Sequence, residues 1–450
     1  MTDDHGRGRR FRYDGFTIDP AQGEIRCEYS LDDRQFVERF VLPADPRAWS
    51  QPAAHAAARW VFLLAGVSYY KTAAPPIIDL GSTALTPLEH DFLRTFYLEG
   101  LGEFAYRNGL DLSDLVLTGP VAEPAPPVAY APPVPGRPLV PFGGGIDSVV
   151  VVEHTKTRFD DVALFVASRL GDVFAAIEEP AKVTGLPVLR AGREIDDQVL
   201  RSAELGLLNG HVPVTGILSA LAVTAAVLDG RDSVVMSNEW SASSGTVEVD
   251  GRSVNHQYSK SLSFEQDFRA VLAASIEGIE YFSALRPYSE IWVAERFARL
   301  TDYHLAFRSC NRAFTIDPAK RLDRWCGRCD KCVFIDLVLA PFVDADRLRA
   351  VFDGKEPLDD PTLAERFRGL LGDDLVTKPF ECVGEVTECR AAVVLAAARP
   401  DRAGTALLHE LAAEVPGPVD TGSFLRPMGP HFIPADHAVP EGHAVDDLLV

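Results

Sequence analysis

The octapeptide Pro141-Phe-Gly-Gly-Gly-Ile-Asp-Ser148 constrains this chain more than any other stretch. It lies between an apolar run, 138–142, that reads as a strand and a segment, 147–156, that reads as a helix. Successive glycines let backbone N–H groups approach an anion closely, and a helix start adds partial positive charge. This is the make-up of a phosphate cradle. It is not a Walker A loop, because no Gly-Lys-Ser/Thr follows, and not a GxGxxG fingerprint. The alternative construction is a plain Gly-rich turn with Asp147 capping the helix.

The segments around the loop alternate. Strands are expected over 162–167, 186–190 and 233–237, and helices over 173–184 and 213–228. Short buried strands separated by helices predict an α/β fold with a central, doubly wound parallel sheet. Ligands bind such sheets beyond the carboxyl ends of the strands, here 143–148, 168–172 and 238–243. Three regions follow. Residues 1–135 form an N-terminal α+β domain, with β-like alternation at Phe11, Tyr13, Phe16 and Ile18 and at Ile25, Cys27 and Tyr29, a further strand over 36–42, and helices over 53–64 and 88–108. It ends in a Pro-rich, semi-extended linker, 121–135. Residues 136–340 hold the sheet. Residues 341–450 are helical over 344–351, 362–371, 388–398 and 405–413, then loop-like, with His431, His437 and His443 as surface decoration.

Four of the seven cysteines, Cys310, Cys326, Cys329 and Cys332, are spaced 16, 3 and 3 apart. Four thiolates close a tetrahedral Zn²⁺ site and leave no open position, so the metal reads as structural; an iron–sulfur cluster uses the same ligand type. Unligated buried thiols are the plain alternative. Thiol or metal chemistry of this kind belongs to a reducing cytoplasm rather than to a disulfide framework. Residues 1–15 are polar and lack the apolar core of a secretory signal, and no apolar run reaches membrane-spanning length. Lys and Arg number 44 against 65 Asp and Glu, a net charge of −21 that repels a nucleic-acid backbone. Around the cysteines, 308–332, the balance reverses to seven basic residues against three acidic, an anion-facing wall or simply a solvated charged face.

A second polar concentration follows the expected strand at 233–237. Ser237-Asn-Glu-Trp-Ser-Ala-Ser243 carries Glu239, and Asn255-His-Gln-Tyr-Ser-Lys260 carries His256, Tyr258 and Lys260. Glu265 lies just beyond. Singly each residue is ordinary; together, beside a phosphate loop, they form a candidate site. Lys378-Pro-Phe-Glu-Cys-Val-Gly-Glu385 adds Cys382, a proton-transfer thiol or a small core residue.

Gly144, Gly145, Asp147 and Ser148 match the pyrophosphatase loop, Ser-Gly-Gly-x-Asp-Ser, of ATP-dependent enzymes that release AMP and pyrophosphate; Gly143 stands where that loop has its first Ser. The cysteine pattern resembles the zinc site of the 7-cyano-7-deazaguanine synthases, which share the loop. The loop, the segments carrying Glu239 and His256, and Lys378–Glu385 together resemble the UDP-N-acetyl-α-D-muramoyl-L-alanyl-L-glutamate epimerases, over nearly the whole chain. That resemblance implies a fold of the adenine-nucleotide α-hydrolase (ATP pyrophosphatase) type. It implies ATP and Mg²⁺ as cofactors, a nucleotide-sugar dipeptide as substrate, and no nucleic-acid or membrane partner. The terminal L-glutamate would be inverted by way of an acyl-adenylate, in peptidoglycan precursor synthesis. On this reading Gly143, Gly144, Gly145 and Ser148 hold pyrophosphate, Asp147 caps the helix or positions Mg²⁺, and Glu239 is a Mg²⁺ ligand. His256 is the first choice of base, since its ordinary pKa near 6.5 suits neutral pH. Lys260 steadies a phosphate or an enolate, and Tyr258 and Cys382 are candidates for the second face. The rivals are a nucleobase-modifying ligase of the 7-cyano-7-deazaguanine synthase kind, an ammonia-dependent amide synthetase, and a nucleotide sensor without turnover.

Overall fold

The computed structural model describes residues 7–438 apart from 246, 250–251, 316 and 373–378. Ten strands form one sheet. In chain order they are β1 (Arg10–Asp19), β2 (Glu24–Leu31), β3 (Arg34–Val41), β4 (Ile77–Asp79), β5 (Val116–Thr118), β6 (Pro138–Pro141), β7 (Ala163–Ser168), β8 (Val188–Glu194), β9 (Ser233–Met236) and β10 (Glu280–Ser283). Across the sheet they run β10-β9-β6-β7-β8-β3-β2-β1-β4-β5.

The five strands β10, β9, β6, β7 and β8 are parallel throughout. Their side chains alternate between two cores. Leu139, Phe165, Val234 and Tyr281 face one, shared with helices Pro52–Ala65 and Val214–Leu228. Val140, Leu164, Val235 and Phe282 face the other, shared with helices Ile146–Lys156, Glu290–Ala298 and Asp330–Leu339. Helices on both faces explain why these strands read as unbroken apolar runs. These five strands are the parallel sheet expected over 136–340, but the sheet does not stop there. The N-terminal meander β1–β2–β3 is antiparallel, and β3 pairs antiparallel with β8 through Arg39–Val41, so the full sheet is mixed. The chain's first strands occupy an edge of β8 that would otherwise expose unpaired N–H and C=O groups.

Other boundaries shift for local reasons. The single helix expected over 88–108 is two, Pro87–Gly100 and Gly102–Asn108, because Leu101 leaves helical values at φ −101°. The first is fixed at its start by a reciprocal Thr86–Glu89 capping box. The Pro-rich stretch is tied down midway: Val128–Ala129 pairs with Ile276–Glu277, and the Tyr130 hydroxyl donates to the Arg231 carbonyl at 2.9 Å.

Strand order reverses between β6 and β9, whose neighbours in the chain lie on opposite sides. The loops leaving these two strands therefore open a crevice at the topological switch point, where open α/β sheets take their ligands. One buried ion pair holds this end of the sheet. Arg286 donates to Glu265 at 2.8 Å, to the Glu239 carbonyl at 2.9 Å and to the Lys260 carbonyl at 2.6 Å. Glu265 in turn accepts the Ser283 N–H at 2.9 Å. Both side chains are almost fully buried. Removing one partner strands the other charge, so Arg286→Met is expected to lower stability by about 3–5 kcal/mol. Urea denaturation measures it, and joint replacement of Glu265 by Leu should recover part of the loss.

Candidate active site

The loop after β6 sits at the switch point. Gly144 has φ +77°, and a Cβ there would lie 2.3 Å from the Ala176 carbonyl oxygen, so only glycine fits. Gly145 is the extended N-cap of helix Ile146–Lys156. Gly143 borders open space, with nothing within 4 Å of a Cβ, so the serine of the related loop is not excluded by packing. The buried Ser148 hydroxyl donates to the Gly145 carbonyl at 3.1 Å and thus braces the loop from within. Asp147 is in the helix's first turn and caps nothing, contrary to the turn-only alternative. Its Oδ1 is buried without a hydrogen-bond partner.

Asp147 faces Glu239, from the loop after β9, and Glu290, at the start of helix Glu290–Ala298; their ligand oxygens lie within 4.8 Å of one another. Burial, then the neighbouring Glu239, pushes the Asp147 carboxyl up to about 7. Burial and the same two neighbours hold Glu290 well above the usual carboxylate range. Behind them the buried Glu388 accepts the Glu290 N–H at 2.9 Å and the Glu385 N–H at 2.7 Å. Burial raises it to about 7 despite those bonds. Three converging carboxylates with an orphaned oxygen are hard donors of the kind that hold Mg²⁺. Lys260 and Lys331 supply countercharge from the other side.

The thiol of Cys382 lies on that other side. Lys260 donates to its Sγ at 3.2 Å. His256 also bonds the sulfur, and its Nδ1 meets the carboxylate of Glu103. Burial works against a thiolate, but Lys260 and His256 bring Cys382 down to about 6. Burial works equally against an imidazolium, but Cys382 and Glu103 raise His256 to about 9. Between those values the two form an ion pair, a thiolate able to take a proton beside an imidazolium able to give one. The ammonium of Lys331 bonds the Cys382 carbonyl and so secures the backbone.

The structure thus brings together His256, Lys260, Cys382, Asp147 and Glu239. It does not bring Tyr258. That ring packs against Phe264 at 5.9 Å in the aromatic core, and its hydroxyl is buried without a partner. Lys260 faces the thiol and the carboxylates. Lys378 and His443 lie outside the described residues. Sequence reading missed Glu103, His211, Glu290, Glu388, Lys331 and Arg286. For Glu103 a signal existed: it follows Phe96 and Gly100 at helical spacing, an acid on an apolar stripe.

Cys310, Cys326, Cys329 and Cys332 converge. Sulfur–sulfur distances are 3.9 Å (Cys310–Cys329), 3.6 Å (Cys326–Cys332) and 3.4 Å (Cys329–Cys332). A tetrahedron with Zn–S of about 2.3 Å has edges of about 3.8 Å, so the four thiols fit zinc. Cys329 is the N-cap of helix Asp330–Leu339, so the cysteine loop also aims Lys331. Ser309, next to Cys310, puts its hydroxyl 3.0 Å from where a Gly145 side chain would begin, closing this loop over the glycines.

Among the described residues no helix is long and apolar enough to cross a membrane. Two family models match the chain, the MurL N-terminal domain over residues 2–284 and the MurL C-terminal domain over residues 306–423. Three curated relatives carry the name UDP-N-acetyl-alpha-D-muramoyl-L-alanyl-L-glutamate epimerase. The protein of Xanthomonas oryzae is 38% identical over 94% of this chain and 95% of its own. Those of Salinispora tropica and a Micromonospora species are each 37% identical over 95% of this chain, and over 94% and 96% of their own. With both halves matched and the relatives aligned almost end to end, the chain belongs to the MurL family of UDP-N-acetyl-α-D-muramoyl-L-alanyl-L-glutamate epimerases.

Proposed function

We propose that this protein inverts the terminal L-glutamate of UDP-N-acetylmuramoyl-L-alanyl-L-glutamate to D-glutamate, using ATP and releasing AMP and pyrophosphate. The observation that carries the reading is the adjacency, at one switch point, of a phosphate-type loop and the thiol of Cys382 with Lys260 and His256 bonded to it. The names of the relatives support the substrate. The strand order and the loop support a fold of the ATP pyrophosphatase type.

The chemistry explains why both halves are needed. Taking the α-proton from a free carboxylate places a second negative charge beside the first. When a carboxylate oxygen attacks the α-phosphorus of ATP, pyrophosphate leaves and an acyl-adenylate forms. The carbanion of that mixed anhydride is an enolate, which hydrogen-bond donors and cations stabilise. A base removes the α-proton, a proton returns on the opposite face, and water cleaves the anhydride to carboxylate and AMP. Gly143, Gly144 and Gly145 offer backbone N–H groups at a helix start for the pyrophosphate. Asp147, Glu239 and Glu290 would hold Mg²⁺, which supplies charge neutralisation for the phosphates. Cys382 and His256, bonded to each other, act as one proton-transfer unit at one face of the α-carbon, and Lys260 holds positive charge where the enolate develops. Tyr258, on this reading, has only a packing role. The four cysteines would hold a structural Zn²⁺ that keeps Lys331 and the cysteine loop in place.

The test is one incubation in D₂O with Mg·ATP and the dipeptide substrate. D-Glutamate carrying α-deuterium, formed only with ATP and in step with AMP, is the expected outcome. AMP without inversion would retain adenylation and point to another acceptor, with ammonia the next addition. His256→Ala should keep ATP–pyrophosphate exchange while losing α-proton exchange; equal loss of both would remove His256 from proton transfer. Metal analysis of the purified chain should return about one zinc per chain. Cys326→Ser should lose that zinc and melt at lower temperature.

A further inference from the structure

We infer that Glu103, supplied by the N-terminal region, is the positioning residue of a Glu103–His256–Cys382 triad that keeps the thiol in its reactive form. The inference deepens the proton-transfer reading of this site and rests on it for its role, but not for its test.

The geometry is that of an acid orienting a base toward a nucleophilic atom. Glu103 lies on helix Gly102–Asn108, with its side chain almost entirely buried. One carboxylate oxygen meets His256 Nδ1, and the other accepts from Arg107 Nε at 2.6 Å. The same ring also hydrogen-bonds the Cys382 sulfur. A carboxylate on Nδ1 fixes the tautomer and favours the charged ring, so the nitrogen facing sulfur carries a proton to donate.

A second imidazole sharpens the assignment. His211 lies against His256, with ring centroids 4.3 Å apart and planes tilted by 41°, and stands 3.9 Å from the same Glu103 carboxylate. Two cations at that separation repel, and Glu103 makes its short bond to only one. Burial, then the charge on His256, presses His211 down to about 4, so it stays neutral while His256 is charged. The charged groups around Cys382 are Lys260, His256 and Lys331, with Asp147 opposing them. Those around His256 are Cys382, Glu103, His211 and Glu381. Of these, Glu103 is the acid that hydrogen-bonds the ring. A purely structural Glu103 would only anchor Arg107 and leave the sulfur unaffected.

The probe is iodoacetamide on the full-length protein, with alkylation read at each cysteine by peptide mass spectrometry from pH 5 to 10. The buried Cys27 and Cys389 report folding within the same sample. In the wild type, the rate at Cys382 should rise around pH 6 and then level. In Glu103→Gln the rise should move up by a unit or more. At pH 6.5 the rate then falls about three- to tenfold, while at pH 9.5 it regains the wild-type value. His256→Ala should give the same shift, and the double variant no more than either alone, because both remove one interaction. Glu103→Asp, which keeps the charge but shortens the reach, should fall between wild type and Gln; it also serves if the Gln variant exposes Cys27. An unchanged profile in Glu103→Gln, with Cys27 still protected, overturns the triad. So does a wild-type rise near pH 9. A shifted profile in a chain that inverts no glutamate would uphold the triad and overturn the proposed reaction instead.

Discussion

The Arg286–Glu265 pair is the interaction on which the site's geometry depends. Burying two charges is expensive, and such a pair is tolerated where hydrogen bonds take up the remaining donors and acceptors. Here Arg286 divides its donors among one carboxylate and two backbone carbonyls, those of Glu239 and Lys260. Those carbonyls belong to residues on the two sides of the candidate site. Glu239 faces the phosphate loop, and Lys260 faces the thiol. A single planar guanidinium therefore ties the carboxylate side to the thiol side. Ser283 completes the brace from β10: its hydroxyl accepts the Asn238 N–H at 2.7 Å, just before Glu239.

The charges in the crevice balance only as a set. Asp147, Glu290 and Glu388 crowd together with Glu239, and burial and that crowding raise the pKa values of Asp147, Glu290 and Glu388. Cys382 would be a neutral thiol if burial alone acted. Lys260 answers both. Burial opposes its charge, but Cys382 and Glu239 lift its pKa above the ordinary lysine value. A divalent cation among the carboxylates would relieve their repulsion and compete with Lys260 for their field, leaving the ammonium closer in effect to the sulfur.

What could be read from sequence was what is local along the chain. The glycine loop, the cysteine ladder and the strands on either side of the loop are each contiguous, and their residue types are tied to one geometry. Gly144 is glycine because its backbone is left-handed and crowded by Ala176. The four cysteine sulfurs converge to within 4.8 Å of one another. His256, Lys260 and Cys382 were legible because polar and reactive residues crowd into short segments. Tyr258 misled for the same reason, since it shares a segment with His256 and Lys260 while its ring turns into the aromatic core. The short turn Tyr258–Lys260 changes direction faster than a sequence pattern reveals.

The rest was hidden because each residue alone has an ordinary explanation. Glu290 reads as a first-turn acid favoured by the helix dipole. Lys331 reads as one more charge in a basic loop. Glu103 and Arg107 read as an i, i+4 surface pair. What converts them into site residues is long-range topology. The antiparallel joint between β3 and β8 merges the N-terminal meander with the parallel sheet. The packing of helix Pro52–Ala65 on helix Val214–Leu228 joins the two regions again on one face. Through these joints a helix from before the Pro-rich stretch delivers Glu103 to a histidine more than 150 positions later. A segment that looks like a separate module is in this fold a wall of the crevice. Deleting it would remove the acid that orients His256 together with the strands that cover the β8 edge, so the sheet and the triad stand on the same residues.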